Sequence, residues 1–125
     1  MIKGLEVNLV QFDHEKLDVY KAALELVKVI DEIVGTLPRG RAYLVDQMQR
    51  AGASVPLNIA EGAGEYAVQE KVRFYRIAKR SATECAAICD ICAHLGLIDR
   101  IQLSRSKELL FRIVSMLIKM AKMKE

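Results

Sequence analysis

The stretch R-A-G-A-S-V-P-L-N-I-A-E-G-A-G, residues 50–64, decides how the rest of the chain is read. Small residues, a proline and the polar side chains of Ser54, Asn58 and Glu61 are set into an otherwise helical pattern. A proline inside a helix removes one hydrogen bond and clashes with the carbonyl four residues back, here Gly52, at a cost of ~3 kcal/mol. The helix either kinks and continues, or stops and restarts with Pro56 as its first residue. Leu57, Ile59 and Ala60 keep the helical character going. The expectation is therefore a continuous helix over about residues 40–62, kinked at Pro56 and closing in a Gly62–Gly64 turn. Ser54, Asn58 and Glu61 project from one side of it. They suit a grip on a ligand or a nucleic-acid backbone. They also suit a repair of the kink, with Ser54 and Asn58 satisfying the freed backbone groups and Glu61 pairing with an arginine such as Arg80. The repair reading is preferred, because a proline leaves backbone groups that need partners.

On either side the chain reads as ordinary amphipathic helix. Residues 14–34 carry a narrow polar stripe, Asp18, Lys21, Glu25, Lys28 and Glu32, on an otherwise apolar cylinder, with Asp13 as the expected cap and Gly35 as the expected left-handed stop before Pro38. Residues 68–95 place Val72, Tyr75, Ala78, Ala82, Cys85, Cys89 and Cys92 on one seam and end at Gly96. Residues 100–122, capped by Asp99, turn Leu103, Leu110, Val114 and Leu117 inward. Nothing alternates as a strand would. Four helices and three short connections predict an all-α chain, one domain over residues 1–125, folded as an antiparallel up-down-up-down four-helix bundle. The first and last helices have more apolar surface than one core can cover, which predicts self-association.

Composition excludes several classes of function. With 52% hydrophobic and 28% charged residues the chain is globular, not disordered. No apolar run is long enough for a membrane span, and residues 1–13 lack a signal-peptide core, so a cytoplasmic protein is expected. Cys85, Cys89 and Cys92 have the spacing of a buried helical seam, and no second thiolate pair or histidine cluster completes a tetrahedral metal site. His14 and His94 sit in no motif with a serine or cysteine nucleophile, and neither Glu15 nor Glu84 begins a Glu-x-x-His pair. The expectation is a protein that is not an enzyme and takes no metal or cofactor.

Charge is modest in sum, +3, but uneven. Residues 1–65 carry seven Lys/Arg against ten Asp/Glu, and residues 66–125 carry twelve against six. Within the basic half, Arg73, Arg76 and Arg80 fall within about 60° of one another around a helix axis, with Lys79 at the edge of that face. Guanidinium forks on one face suit phosphate oxygens. The competing reading is a solvated face, with Arg80 paired to Glu84 and Arg73 to Gln69 or Glu70.

The strings Q-x-x-R-A-x-x-S-V-P-x-N-I-A-E-G, Gln47 to Gly62, and F-Y-R-I-A-K-R-S-A-T-E, Phe74 to Glu84, resemble the bacterial 23S rRNA intervening-sequence proteins. The resemblance extends over nearly the whole chain, including the L-G-L-I-D turn before the last helix. It implies a cytoplasmic four-helix bundle assembled as a homopentamer. It also implies kinship with the accessory variability proteins of diversity-generating retroelements, which bind nucleic acid and a reverse transcriptase. Ser54, Pro56, Asn58, Glu61 and Gly62 match the family signature as structural determinants. The chain departs from many relatives in having no tryptophan, and from the retroelement branch in its modest charge. Two functions follow as expectations: RNA or DNA association through Arg73, Arg76, Lys79 and Arg80, or a scaffold that docks a protein partner such as a reverse transcriptase without touching nucleic acid.

Overall fold

A computed structural model describes residues 10–122; residues 1–9 of the expected lead-in and residues 123–125 lie outside the described part. The chain forms a short 3-10 turn, Asp13–Lys16, followed by α1 (Asp18–Thr36), α2 (Ala42–Gly64), α3 (Val68–His94) and α4 (Arg100–Met120). Each helix packs on its neighbours in sequence, and α1 closes the ring on α4. Ser54 faces Ser81 and Arg50 faces Glu84, so positions rise on α2 as they fall on α3. The architecture is the expected antiparallel up-down-up-down bundle, all-α over the described residues.

The core is one apolar cluster drawn from all four helices, with Leu26, Met48, Ile59, Leu110, Ile113 and Leu117 among its fully buried side chains. The expected α3 seam, Val72 through Cys92, is buried throughout. Its three cysteines are free thiols, and burial pushes Cys85 up to about 12 and Cys89 up to about 11; Cys92 is raised by the same cause. They fill space as small apolar residues. Ser106, the buried polar residue of α4, returns its hydroxyl to the Gln102 carbonyl at 2.8 Å.

Helix ends follow local chemistry, and several differ from the sequence-based expectation. Asp99 caps α4 as expected: its carboxylate accepts from the Gln102 amide at 2.8 Å, while the Gln102 side chain accepts from the Asp99 amide at 3.1 Å. Gly96, at φ +72°, ends α3 as expected. The Leu97 amide reaches back to the Cys92 carbonyl and the Gly96 amide to that of Ala93, so two end carbonyls are satisfied. Gly35 does not stop α1. The helix runs on to Thr36, whose hydroxyl donates to the Ile33 carbonyl, and the left-handed glycine is Gly40 in the following loop, at φ +90°. Asp13 does not cap α1 either. Leu17 is extended there, and His14 packs edge-on against Tyr20 with ring centroids 4.6 Å apart, so the 3-10 turn lies beside α1 and α2 and does not extend α1.

The expected Gly62–Gly64 turn is also corrected: α2 stays helical through Gly64. It passes Pro56 without a break, the proline ring being buried. The Lys71 ammonium donates to the carbonyls of Gly62 and Ala63, at 3.3 and 3.0 Å, and so serves the end of α2 from the next helix. Two glycines of α2 are required for close approach. A methyl group at Gly52 would strike the Ile30 side chain of α1. One at Gly62 would lie 2.7 Å from the Tyr75 ring and 3.1 Å from the Phe74 Cβ.

Gly62→Ala should destabilise the bundle by about 1–2 kcal/mol, because overpacking outweighs the gain in helix propensity. Gly35→Ala, which meets nothing within 4 Å inside α1, should instead stabilise by up to about 1 kcal/mol. Urea unfolding midpoints of the two variants check both signs, and a loss at Gly35 would contradict its helical assignment. A second expectation concerns pH. Folded Cys85 and Cys89 stay protonated while unfolded thiols ionise above about pH 8.5, so their contribution is complete below that pH and is lost as pH rises toward 11–12. The urea midpoint should fall between pH 8.5 and 10.5, and Cys85→Ala should make that fall shallower. Buried Tyr75, also raised, adds to the loss above about pH 10.

Candidate functional site

The polar side of α2 does not repair the proline as expected. Asn58 Nδ2 donates to the Ser54 carbonyl at 2.8 Å and to Ser54 Oγ at 2.9 Å, and neither bond reaches Gly52, whose carbonyl loses its partner to Pro56. Ser54 Oγ in turn meets Ser81 Oγ of α3 at 2.8 Å. The three side chains form a half-buried polar bridge that fixes α2 to α3. Ser81 was missed by sequence reasoning because nothing local marks it as the partner. Glu61 takes no part. It is exposed and, among the described residues, pairs neither with Arg80 nor with any other cation. It borders an open cleft of about 320 Å³ with Asp13, His14 and Glu65, beneath the 3-10 turn. Gly62 is buried under Tyr75.

The basic residues of α3 divide into held and free. Arg73 is held: Nε donates to Glu70 Oε2 at 2.7 Å, the guanidinium lies 4.5 Å from the centroid of the Phe74 ring, and the Glu70 hydrogen bond raises its pKa further. That is one of the two pairings expected for it. Arg80 is not paired to Glu84, whose carboxylate instead reaches Arg50 of α2 at 3.7 Å. Among the described residues Arg76, Lys79 and Arg80 enter no ion pair; the two arginines are exposed and Lys79 is half-buried. Arg80 lies one turn before Glu84 and so toward α2, whereas Arg76 and Lys79 lie within about 40° of Asp90 around the axis, so the basic face runs outward across α3 from its α2 side to its α4 side. On that α4 side Asp90 accepts from Lys107 of α4 at 2.9 Å.

Two apolar features were only partly legible. Between α1 and α2 runs a groove of about 390 Å³ walled by Leu24, Val27 and Ile30 and floored by Gly52 and Ala53, with Asp31 and Lys28 at its rim. On α4, Ile101, Phe111 and Ile118 point into solvent, Phe111 being 75% exposed. The excess apolar surface expected on the first and last helices is located there. Among the described residues no three His, Cys, Asp or Glu side chains converge as metal ligands, and no helix is long and apolar enough to cross a membrane.

None of the curated proteins compared with this chain matches it. Among solved structures, a protein of unknown function from the S23 ribosomal protein family of Bacteroides thetaiotaomicron superposes with a TM-score of 0.78 at 21% identity, over 84% of this chain and 99% of its own. At that identity the likeness concerns the fold alone. The sequence model of a family described as 23S rRNA-intervening sequence protein matches residues 15–119, from the 3-10 turn to the last turn of α4. With the Ser54–Gly62 signature inside that span and the bundle built around it, the chain belongs to the 23S rRNA-intervening sequence protein family.

Proposed function

We propose that this chain is a non-enzymatic, cytoplasmic, homo-oligomeric bundle protein that associates with nucleic acid through the outward face of α3. The observation that carries the reading is the state of Arg76 and Arg80: both are exposed, share one face, and among the described residues have no carboxylate partner. Unpaired guanidinium groups at helical spacing present several forked donors to a phosphate backbone. Lys79 adds charge at the edge of the face. Arg73, engaged by Glu70, contributes less.

Two further observations support the rest of the reading. The thiols are buried and protonated at neutral pH, which leaves them poor nucleophiles and suits a reducing compartment. Exposed apolar side chains on α1 and α4 favour assembly, and the family resemblance favours a pentamer. Five copies at +3 each would carry about +15, a field strong enough to hold RNA or DNA in a salt-dependent way.

Arg76→Ala combined with Arg80→Ala should weaken binding to single-stranded RNA, structured RNA or duplex DNA across a salt series, and should reduce the slope of log K against log salt by about 2. Arg73→Ala alone should do less. The fold should be unaffected, since both side chains stand in solvent. Unchanged affinity and slope would remove the assignment. An intact oligomer that binds none of these at low salt would favour a scaffold that docks a protein partner such as a reverse transcriptase.

A further inference from the structure

Beside the cations of α3 stands an exposed aromatic ring on α4. The Lys107–Asp90 ion pair fixes the register of these two antiparallel helices. Phe111, one turn beyond Lys107, comes level with about residue 86 of α3, and Ile118 with Lys79. Phe111 and Ile118 stay within about 40° of Lys107 around the α4 axis, on the edge that faces α3. Arg76 and Lys79 stay equally close to Asp90 on α3, and Arg80 lies one step further out, so ring and cations border one outer furrow. Along the axis the ring is about 9 Å from the level of Arg80 and about 15 Å from that of Arg76.

The furrow is low next to the ring and cationic beyond it. The outward-facing α3 residues nearest the level of Phe111 are Thr83 and Ala87, both small and exposed, and the Thr83 hydroxyl is turned back to the Lys79 carbonyl at 3.0 Å. That leaves space for a planar group against the ring. The carboxylates nearby are already engaged: Asp90 accepts from Lys107, and Glu84 faces Arg50. Glu108 of α4 lies about 60° further round than Phe111, away from α3. Arg76, Lys79 and Arg80 therefore keep their charge for an outside partner. Such a surface suits a polyanion that also carries exposed planar faces. A duplex offers phosphates, but its bases are covered by one another; an unpaired strand offers both.

We propose that the furrow between α3 and α4 binds single-stranded nucleic acid, with the Phe111 ring stacked on one base and Arg76, Lys79 and Arg80 on the phosphates beside it. The proposal rests on the nucleic-acid reading of α3 above and narrows it to unpaired strands. A phenyl ring has no hydrogen-bond donor or acceptor, so the base is held by its face and the site tolerates any sequence. The arginines supply the salt-dependent part of the affinity and the ring a part that salt does not screen.

The test uses the full chain with short oligo(U) and oligo(dT) and a DNA duplex of the same length. Phe111→Ala should weaken binding of the single strands about tenfold. It should leave the slope of log K against log salt unchanged, because no charge is removed, and should not alter affinity for the duplex. The homopolymer held more tightly names RNA or DNA as the source. The chain contains no tryptophan, so Phe111→Trp places a single indole at the site, and its fluorescence should be quenched by the single strands and not by the duplex. Both variants should keep the helical circular dichroism and the wild-type mass, since the position stands in solvent. A wild-type protein that binds neither single strands nor duplex would overturn this proposal and the nucleic-acid reading together. Single-strand binding that Phe111→Ala leaves unchanged, or a loss equal for the duplex, would overturn the stacking alone. So would a fall in oligomer mass, which would assign the ring to a contact between subunits.

Discussion

The bundle depends on how closely α2 can be approached. α2 is closely approached on both flanks: Ile30 of α1 lies over Gly52, and the Tyr75 ring of α3 lies against Gly62. A larger residue at Gly62 would press on the Tyr75 ring and the Phe74 Cβ of α3, and one at Gly52 would displace the end of the Ile30 side chain, both beside a core whose Met48, Val55 and Ile59 are fully buried. Interiors packed to crystal-like density do not absorb such shifts cheaply. The proline between the two glycines is tolerated in the same environment because its ring is buried and the helix around it is held from both sides. The family signature is thus explained first as a packing device.

The same constraint sets where polar groups go. With α3 drawn close to α2, hydroxyl meets hydroxyl at Ser54 and Ser81, Asn58 completes the bridge, and Lys71 can reach the carbonyls at the end of α2. These bonds engage Ser54 and Asn58 of the signature, while its Glu61 stays exposed at the cleft beneath the 3-10 turn. The proposed binding face is the outer surface of α3, where the exposed Arg76 and Arg80 are not needed for packing. The bridging residues and the exposed arginines therefore occupy different sides of α3, so either set can be altered with limited effect on the other.

How far the sequence discloses this can be judged residue by residue. Periodicity is local, and it placed the α3 seam correctly from Val72 to Cys92; the Asp99 cap and the Gly96 stop are equally local signals and were equally legible. Misreadings arose at two helix ends, where several local stops compete, and at two side-chain pairings whose partner lies on another helix. Gly35 looks like a stop until one finds that Thr36 and Leu37 close α1 and Gly40 makes the turn. Asp13 looks like a cap until His14 is seen against Tyr20. Ser54 and Asn58 look like a repair of Pro56 until Ser81 appears opposite, and Glu84 looks like the partner of Arg80 until Arg50 arrives from another helix. Spacing along one helix tells which side chains share a face, but not what that face meets.

The thiol seam of α3 has a consequence for the life of the molecule before it folds. Packed and protonated, Cys85, Cys89 and Cys92 are shielded from oxidants; extended, they are three ordinary thiols within eight residues of chain. The seam is also the surface on which α2 and α4 must close, so a sulfenic acid or mixed disulfide formed early would insert a bulky polar group where the other two helices need to pack. Oxidative damage would then be decided by the interval between synthesis and closure of the bundle, and a chain that closes in time would carry its most sensitive atoms out of reach.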